Sequence, residues 1–169
     1  MGALEGNELE TERLRLRMWD KKDIPEFTWF YSDAANARFV GGRKRADDAW
    51  RHLALQLGHW ILKGFGSWAV EEKESGKLAG CVGLWRSPEW PETELGYWLM
   101  PQSRGKGYIR EAGSEAIRYA RETVKARSLV SYVDGDNLAS KRTAQGLGAR
   151  FDTMVDLAGC GPHEVFRYF

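Results

Sequence analysis

Cysteine is scarce in this chain. Cys81 and Cys160 are the 2 cysteines in 169 residues, far apart and outside any Cys-x-x-Cys spacing. A disulfide framework or zinc ribbon is disfavoured, and a reduced intracellular protein with Cys81 buried in a strand is expected. Histidine is also rare, with 3 residues. His52 and His59 stand two helical turns apart, roughly 10 Å by rise, too far to share a metal, and His163 is alone. No metal site is expected. There is no Gly-x-Ser-x-Gly elbow, and Cys81 has no local histidine partner to make it a nucleophile. No apolar run is long enough to cross a bilayer, and no signal-peptide pattern is visible. Gly6 stands where a myristoylation signal needs Ser or Thr. A cytoplasmic protein without membrane contact is expected. Charge of one sign is lacking too: 25 Lys and Arg face 24 Asp and Glu, for a net +1. Nucleic-acid binding is therefore not expected, and Arg43-Lys44-Arg45 reads as a solvated turn.

What is present is alternation of strand-like and helix-like periodicity over one domain's length. Residues 1–10 are polar and acidic and read as a flexible lead-in; residues 11–169 read as a single domain. Leu14, Leu16 and Met18 alternate with Arg13, Arg15 and Arg17, the pattern of a strand with one buried face. Asp20 or Asp23 with Pro25 opens a helix carrying Phe27, Trp29, Phe30 and Tyr31. A second helix runs from Asp47 to Lys63 and stops at Gly64. Strands follow at Ser67–Glu72, Lys77–Arg86 and Thr93–Met100, the first two joined as a hairpin around Ser75-Gly76. A helix at about 107–124 presents Ala112, Gly113, Ala116 and Ala120, small residues that allow close packing on a sheet. Leu129–Val133, Asn137–Leu147, Arg150–Leu157 and His163–Phe169 read as strand, helix, strand, strand. The order is mixed α/β (α+β) in one domain.

Between the strand ending at Pro101 and the next helix lies Gln102-Ser103-Arg104-Gly105-Lys106-Gly107-Tyr108. Glycines before a helix N-terminus allow main-chain N–H groups to approach an anion, and the helix end carries roughly half a positive charge. Arg104, Lys106 and Arg110 crowd that end, which is slightly unfavourable unless an anion joins them; Glu111 is an alternative compensator. The pattern is not a Walker A loop, and Arg110 occupies the third glycine position of the dinucleotide fingerprint. A nucleotide-phosphate loop is a weaker reading. Further on, Asn137 and Ser140 stand three apart on one helical face, before Gly148-Ala149-Arg150-Phe151. Taken singly, Asn137 is a good N-cap and Ser140 an ordinary solvated serine.

Gln-x-x-Gly-x-Gly at 102–107 and Asn-x-x-Ser at 137–140 together resemble the two coenzyme-binding motifs of the GNAT superfamily of acetyl-CoA-dependent N-acetyltransferases. Thr11-x-Arg13-Leu14-x-Leu16-Arg17, Gly80-x-x-Gly83-Leu84 and Glu94-Leu95-Gly96-Tyr97-Trp98-Leu99 are similar to the branch containing ribosomal-protein N-terminal alanine and serine acetyltransferases. The resemblance covers residues 11–169. It implies a mostly antiparallel mixed sheet of six to seven strands, about four helices and a splayed central strand pair. It also implies acetyl-CoA as co-substrate, with no metal, and a small-molecule or peptide amine as acceptor. A monomer or a homodimer would fit it equally.

The resemblance places the pantetheine beside the strand 93–100, on main-chain groups of Trp98, Leu99 and Met100. It places the pyrophosphate on Arg104, Gly105, Lys106, Gly107 and Tyr108, and further contacts on Asn137 and Ser140. Gly96 would mark a bulge or close approach in that strand. Glu94 is the expected general base, acting directly or through water, with Glu92 as runner-up. Ser140 is the expected partner of the leaving thiolate, because Ala144 stands where many members carry a tyrosine. Attack would be direct, in a ternary complex. The acceptor would meet Trp29, Phe30, Tyr31, Phe39, Trp50, Trp60, Trp85, Trp90, Phe166 and Tyr168, though core and rim packing is the favoured explanation of such aromatics. The alternative is a non-catalytic acyl-CoA-binding module that kept the cleft.

Overall fold

The computed structural model describes residues 7–169. Eight strands form a single sheet in the order β1-β2-β3-β4-β5-β6-β8-β7. They are β1 (Leu9–Glu10), β2 (Leu14–Arg17), β3 (Ser67–Glu72), β4 (Leu78–Trp85), β5 (Glu94–Leu99), β6 (Val130–Val133), β7 (Arg150–Leu157) and β8 (Gly161–Arg167). The helices are α1 (Ile24–Ser32), α2 (Ala34–Ala37), α3 (Ala46–Lys63), α4 (Tyr108–Glu122) and α5 (Leu138–Gly146), with short 3-10 turns at Lys21–Asp23 and Pro101–Ser103. Gly64, at φ 74°, ends α3 as a left-handed cap.

The class matches the expectation, with one strand more than the upper count. The extra strand lies in the stretch read as a lead-in: Leu9 pairs with Leu16 and Glu10 with Arg15. Two residues are too short to show a period, so this edge strand was invisible in the pattern. The rest of the expected lead-in, residues 1–6, lies outside the described residues.

Helices cover both faces of the sheet. On one, Phe27, Phe30 and Tyr31 of α1 and Ala49 and Leu53 of α3 pack with Ala69 and Cys81. On the other, Ala112, Ala116 and Ala120 of α4 lie against Leu14, Leu16, Val70, Val82 and Leu95. The small face of α4 brings its backbone close to the strands, as its composition predicts. Arg17 departs from the expected alternation, being 8% exposed. Its guanidinium donates to both oxygens of Asp23 at 2.8 Å and to Glu71 at 2.6 Å. Two carboxylates satisfy the buried fork and tie the turn before α1 to β2 and β3.

Gly80 and Gly83 are required by close backbone approach. A Cβ on Gly80 would lie 2.2 Å from the carbonyl oxygen of Trp98, and one on Gly83 2.1 Å from Cα of Ser67. The decisive feature for the site is the join between β5 and β6. These parallel strands share one register pair, Glu94 with Val130, where the Val130 N–H donates to the Thr93 carbonyl at 3.1 Å. Beyond it they part.

Candidate active site

The parting leaves one edge of β5 without a strand partner. Antiparallel pairing with β4 uses alternate main-chain groups, so only every second residue points into the gap. The Met100 N–H donates to the Ala79 carbonyl at 2.9 Å, and the Trp98 carbonyl faces Gly80. The main chains of Trp98 and Met100 are thus turned to β4, contrary to the expected pairing with pantetheine. The gap is faced by Leu95, Tyr97 and Leu99. The Leu95 carbonyl accepts from Ser131 Oγ at 2.7 Å and the Leu99 carbonyl from Arg104 Nε at 3.3 Å. The Trp98 side chain stacks on Phe30, with centroids 3.9 Å apart, and Met100 is buried beside it.

The glycine loop enters α4 with Gly105 at φ 75° and Gly107 at φ 79°. Gly107 is the N-cap and no side chain caps the helix. The first-turn N–H groups are therefore available to an anion, and nothing lies within 4 Å of a Cβ built on Gly105. The flanking cations are less idle than their crowding suggested. Arg104 donates to Asn36 at 3.1 Å, Lys106 Nζ is 3.5 Å from Glu72, and the Tyr108 hydroxyl also donates to Glu72. Glu111 takes Arg13 at 2.7 Å. The protein's own acids thus partly balance this end. The Tyr108 side chain is turned to Glu72, leaving its main chain for the loop.

Asn137 Oδ1 caps α5 by accepting from the Ser140 N–H at 3.1 Å, so its carbonyl is committed and its amide nitrogen remains to donate. Ser140 Oγ lies 3.1 Å from the Tyr97 hydroxyl, which also donates to the Ser140 carbonyl at 3.2 Å. Ser131 Oγ lies 3.0 Å from the Tyr168 hydroxyl. The Tyr97 hydroxyl also meets those of Tyr168 and Ser131, so a chain of hydroxyls crosses the parted strands. Tyr97 was missed as a site residue; its place in the run Tyr97-Trp98-Leu99, on the face opposite Glu94, was the available signal. Burial raises the Tyr97 phenol, keeping it protonated.

On the other face of β5 opens a cavity of about 580 Å³, lined by Glu94, Gly96, Trp98, Trp85, Trp90 and Tyr31 among others. Glu94 accepts from Trp90 Nε1 at 2.6 Å. Burial pushes its carboxyl up to about 7, partly opposed by the bonds from Trp90 and the Tyr132 main chain. Glu92 is held oppositely. Arg167 donates to both its oxygens, at 2.7 and 2.8 Å, and holds it down to about 2. Gly96 marks no bulge: it pairs in register with Gly83, and nothing lies within 4 Å of a Cβ built on it. Its bareness keeps the cavity floor open.

Of the expected acceptor aromatics, Tyr31, Phe39, Trp85 and Trp90 line this cavity. Phe30, Trp60 and Phe166 are core residues, and Trp29 and Trp50 are exposed on helices outside it. Tyr168 joins the hydroxyl chain instead. His52, missed in the sequence, lines the cavity and takes a hydrogen bond with Tyr31 at 3.2 Å. Among the described residues no group of three or more His, Cys, Asp or Glu side chains is placed to hold a metal ion, and no helix is long and apolar enough to cross a membrane.

Residues 13–150 match the Acetyltransferase (GNAT) domain. An acetyltransferase from Agrobacterium tumefaciens is similar in structure, with a TM-score of 0.88 and 31% identity over 96% of this chain and 94% of that one. A ribosomal-protein alanine acetyltransferase from Vibrio fischeri shares the fold, with a TM-score of 0.75 and 18% identity over 96% of each chain. An FsC-acetyl coenzyme A-N(2)-transacetylase of Aspergillus fumigatus is 26% identical over 134 residues, 69% of this chain and 49% of that protein. The chain spans about half the length of that curated relative. With a family match across most of its length and a parted β5–β6 pair beside a glycine-opened helix, the chain belongs to the GNAT family of acetyl-CoA-dependent N-acetyltransferases.

Proposed function

We propose that this protein moves an acetyl group from acetyl-CoA to a primary amine by direct attack in a ternary complex. The observation that carries the reading is Glu94: a carboxyl near 7 on the wall of a cavity whose floor is the strand that also borders the gap.

The residues fit the donor. The edge of β5 offers main-chain groups of Leu95, Tyr97 and Leu99 to an extended amide chain, as a sheet edge accepts an added strand. The uncapped start of α4 and the open loop at Gly105 suit a diphosphate, with Arg104 and Lys106 alongside. Asn137 Nδ2 is left to donate, since Oδ1 is taken by the Ser140 N–H. When bound, acetyl-CoA supplies an activated thioester carbonyl.

Glu94 takes the proton of the incoming ammonium. A base near 7 is half ionised at neutral pH, and its match to an amine of about 8 to 10 is far better than that of a solvated carboxylate. Ser140 and Tyr97 form a paired hydroxyl site for the departing sulfur, each able to donate once the other accepts. Main-chain N–H groups on the gap side of β5 stabilise the developing oxyanion. Glu92, closed by Arg167, takes no part in this scheme.

The Aspergillus relative is named for acetyl transfer from acetyl coenzyme A, which agrees with this chemistry. Free-thiol release from acetyl-CoA across a panel of peptide N-termini and small amines tests the proposal. Turnover above the amine-free rate is expected. Tight CoA binding with no thiol release for any amine would favour a non-catalytic acyl-CoA-binding module instead.

A further inference from the structure

Thr11 and Arg13, just before β2, reach across the fold to the first turn of α4. Glu111 Oε1 accepts from the Thr11 hydroxyl at 2.5 Å and from the Arg13 N–H at 2.8 Å, and Oε2 accepts from Arg13 Nε at 2.7 Å. The same guanidinium donates through Nη1 to the Lys106 carbonyl at 3.0 Å, inside the glycine loop. It lies 4.8 Å from the centre of the Tyr108 ring, and the Arg13 carbonyl takes the Lys73 N–H at 2.9 Å. Arg13 is thus held at its main chain and its side chain, although that side chain is 46% exposed.

These bonds act on peptide planes. A trans peptide is planar, so its carbonyl and its N–H point opposite ways. Tying the Lys106 carbonyl to Arg13 therefore keeps the Gly107 N–H turned away from Arg13. The next carbonyl, that of Gly107, accepts from the Glu111 N–H at 3.1 Å. Glu111 thus holds two successive peptides of the loop, one directly and one through Arg13. The need is local: Gly105 and Gly107 both have positive φ, and glycine restrains its own backbone least.

Charge alone does not account for Glu111. A carboxylate in the first turn favours the helix but opposes an anion bound at the same end. A pair with one partner half-exposed is also a weak source of stability. What the pair supplies is geometry.

Resting on the reading of residues 104–108 as the coenzyme diphosphate loop, we propose that Arg13, held by Glu111, is a positioning residue for acetyl-CoA. It presets the peptide between Lys106 and Gly107, so that little ordering is left for the diphosphate to impose. It acts through the loop, and not on the thioester or the amine.

The test compares acetyl-CoA with S-acetylpantetheine, which carries the same thioester arm and ends before the diphosphate. Native protein, Arg13→Ala, Arg13→Lys and Glu111→Gln are used. Calorimetry gives Kd for CoA, and free-thiol release gives KM and kcat. In Arg13→Ala, Kd for CoA and KM for acetyl-CoA should rise about tenfold or more. Its kcat should hold within about threefold and its KM for S-acetylpantetheine within about twofold. Arg13→Lys keeps the charge without the planar fork and should recover only a minor part of the loss. Glu111→Gln separates geometry from charge. Removing a negative charge beside an anion would by itself tighten CoA binding, whereas loss of the support under Arg13 should loosen it about threefold or more. An unchanged or tighter Kd in Glu111→Gln overturns the proposal. So does full recovery in Arg13→Lys, or an equal loss with S-acetylpantetheine, which would mark a general packing defect. If the native protein shows no preference for acetyl-CoA over S-acetylpantetheine, the diphosphate reading of the loop fails first, and this inference with it.

Discussion

The indole Nε1 of Trp90 donates to Oε2 of Glu94 at 2.6 Å, four residues on, across the turn that leads into β5. The bond opposes burial: it favours the ionised carboxylate, whereas the cavity wall favours the neutral acid. Their balance leaves the group near 7, where it can both hold and release a proton.

Trp90→Phe removes the donor and leaves burial unopposed. The rising limb of kcat/KM against pH, expected near 7 in the native protein, should move to higher pH. The rate at pH 7 should fall about three- to tenfold and recover above about pH 8. A uniform loss at all pH values would mean that Trp90 only packs.

Glu94→Gln should lower kcat by roughly 10² or more with acetyl-CoA binding retained, measured by single-turnover thiol release and calorimetry. It should also alter stability against pH. A carboxyl raised in the folded state favours folding below the unfolded value of 4.5 and loses that contribution as pH rises through about 7. The native protein should weaken over that window more than the variant does in denaturant titrations.

Glu92→Gln gives the opposite signature. Its folded value, depressed to about 2 by Arg167, contributes stability above 4.5 that is lost as pH falls toward 2. The variant should unfold less steeply in acid and keep kcat within about threefold at neutral pH. A hundredfold loss of turnover would put Glu92 in the chemistry.

The glycines separate by what surrounds them. Gly83→Ala forces a Cβ against the backbone of Ser67 and should cost about 1–3 kcal/mol or more in thermal or denaturant unfolding. Gly96→Val meets open space and should leave unfolding little changed, while raising KM for the amine by narrowing the cavity.

Much of this architecture was legible because it is written locally. The helix stop at Gly64, the small face of α4 and the glycines before it follow from backbone and packing rules that act over a few residues. Glu94 stood out by its place in the Glu94–Leu99 run, and it lies on the cavity wall. Other features depend on residues distant in sequence. Arg17 is buried because Asp23 and Glu71 meet it, and its alternation with leucines reads as a solvated face. Trp98 and Met100 face β4 rather than the gap, since ladder phase is set by the pairing of β4 with β5 and not by composition. Tyr97 joins Ser140 only because β5 and α5 converge across the parted strands. Aromatic abundance, likewise, did not separate the four cavity residues from those that fill the core.

One rung, Glu94 with Val130, is all the direct ladder that holds the five N-terminal strands to the three C-terminal ones. A molecule lying along the opening would act as a splint, bonding to strands that do not bond to each other. Saturation with CoA at a hundredfold excess over Kd should add about 2.7 kcal/mol and raise Tm by about 5–10 °C. In hydrogen exchange the slowing should be concentrated at amides of Tyr97, Leu99 and the first turn of α4.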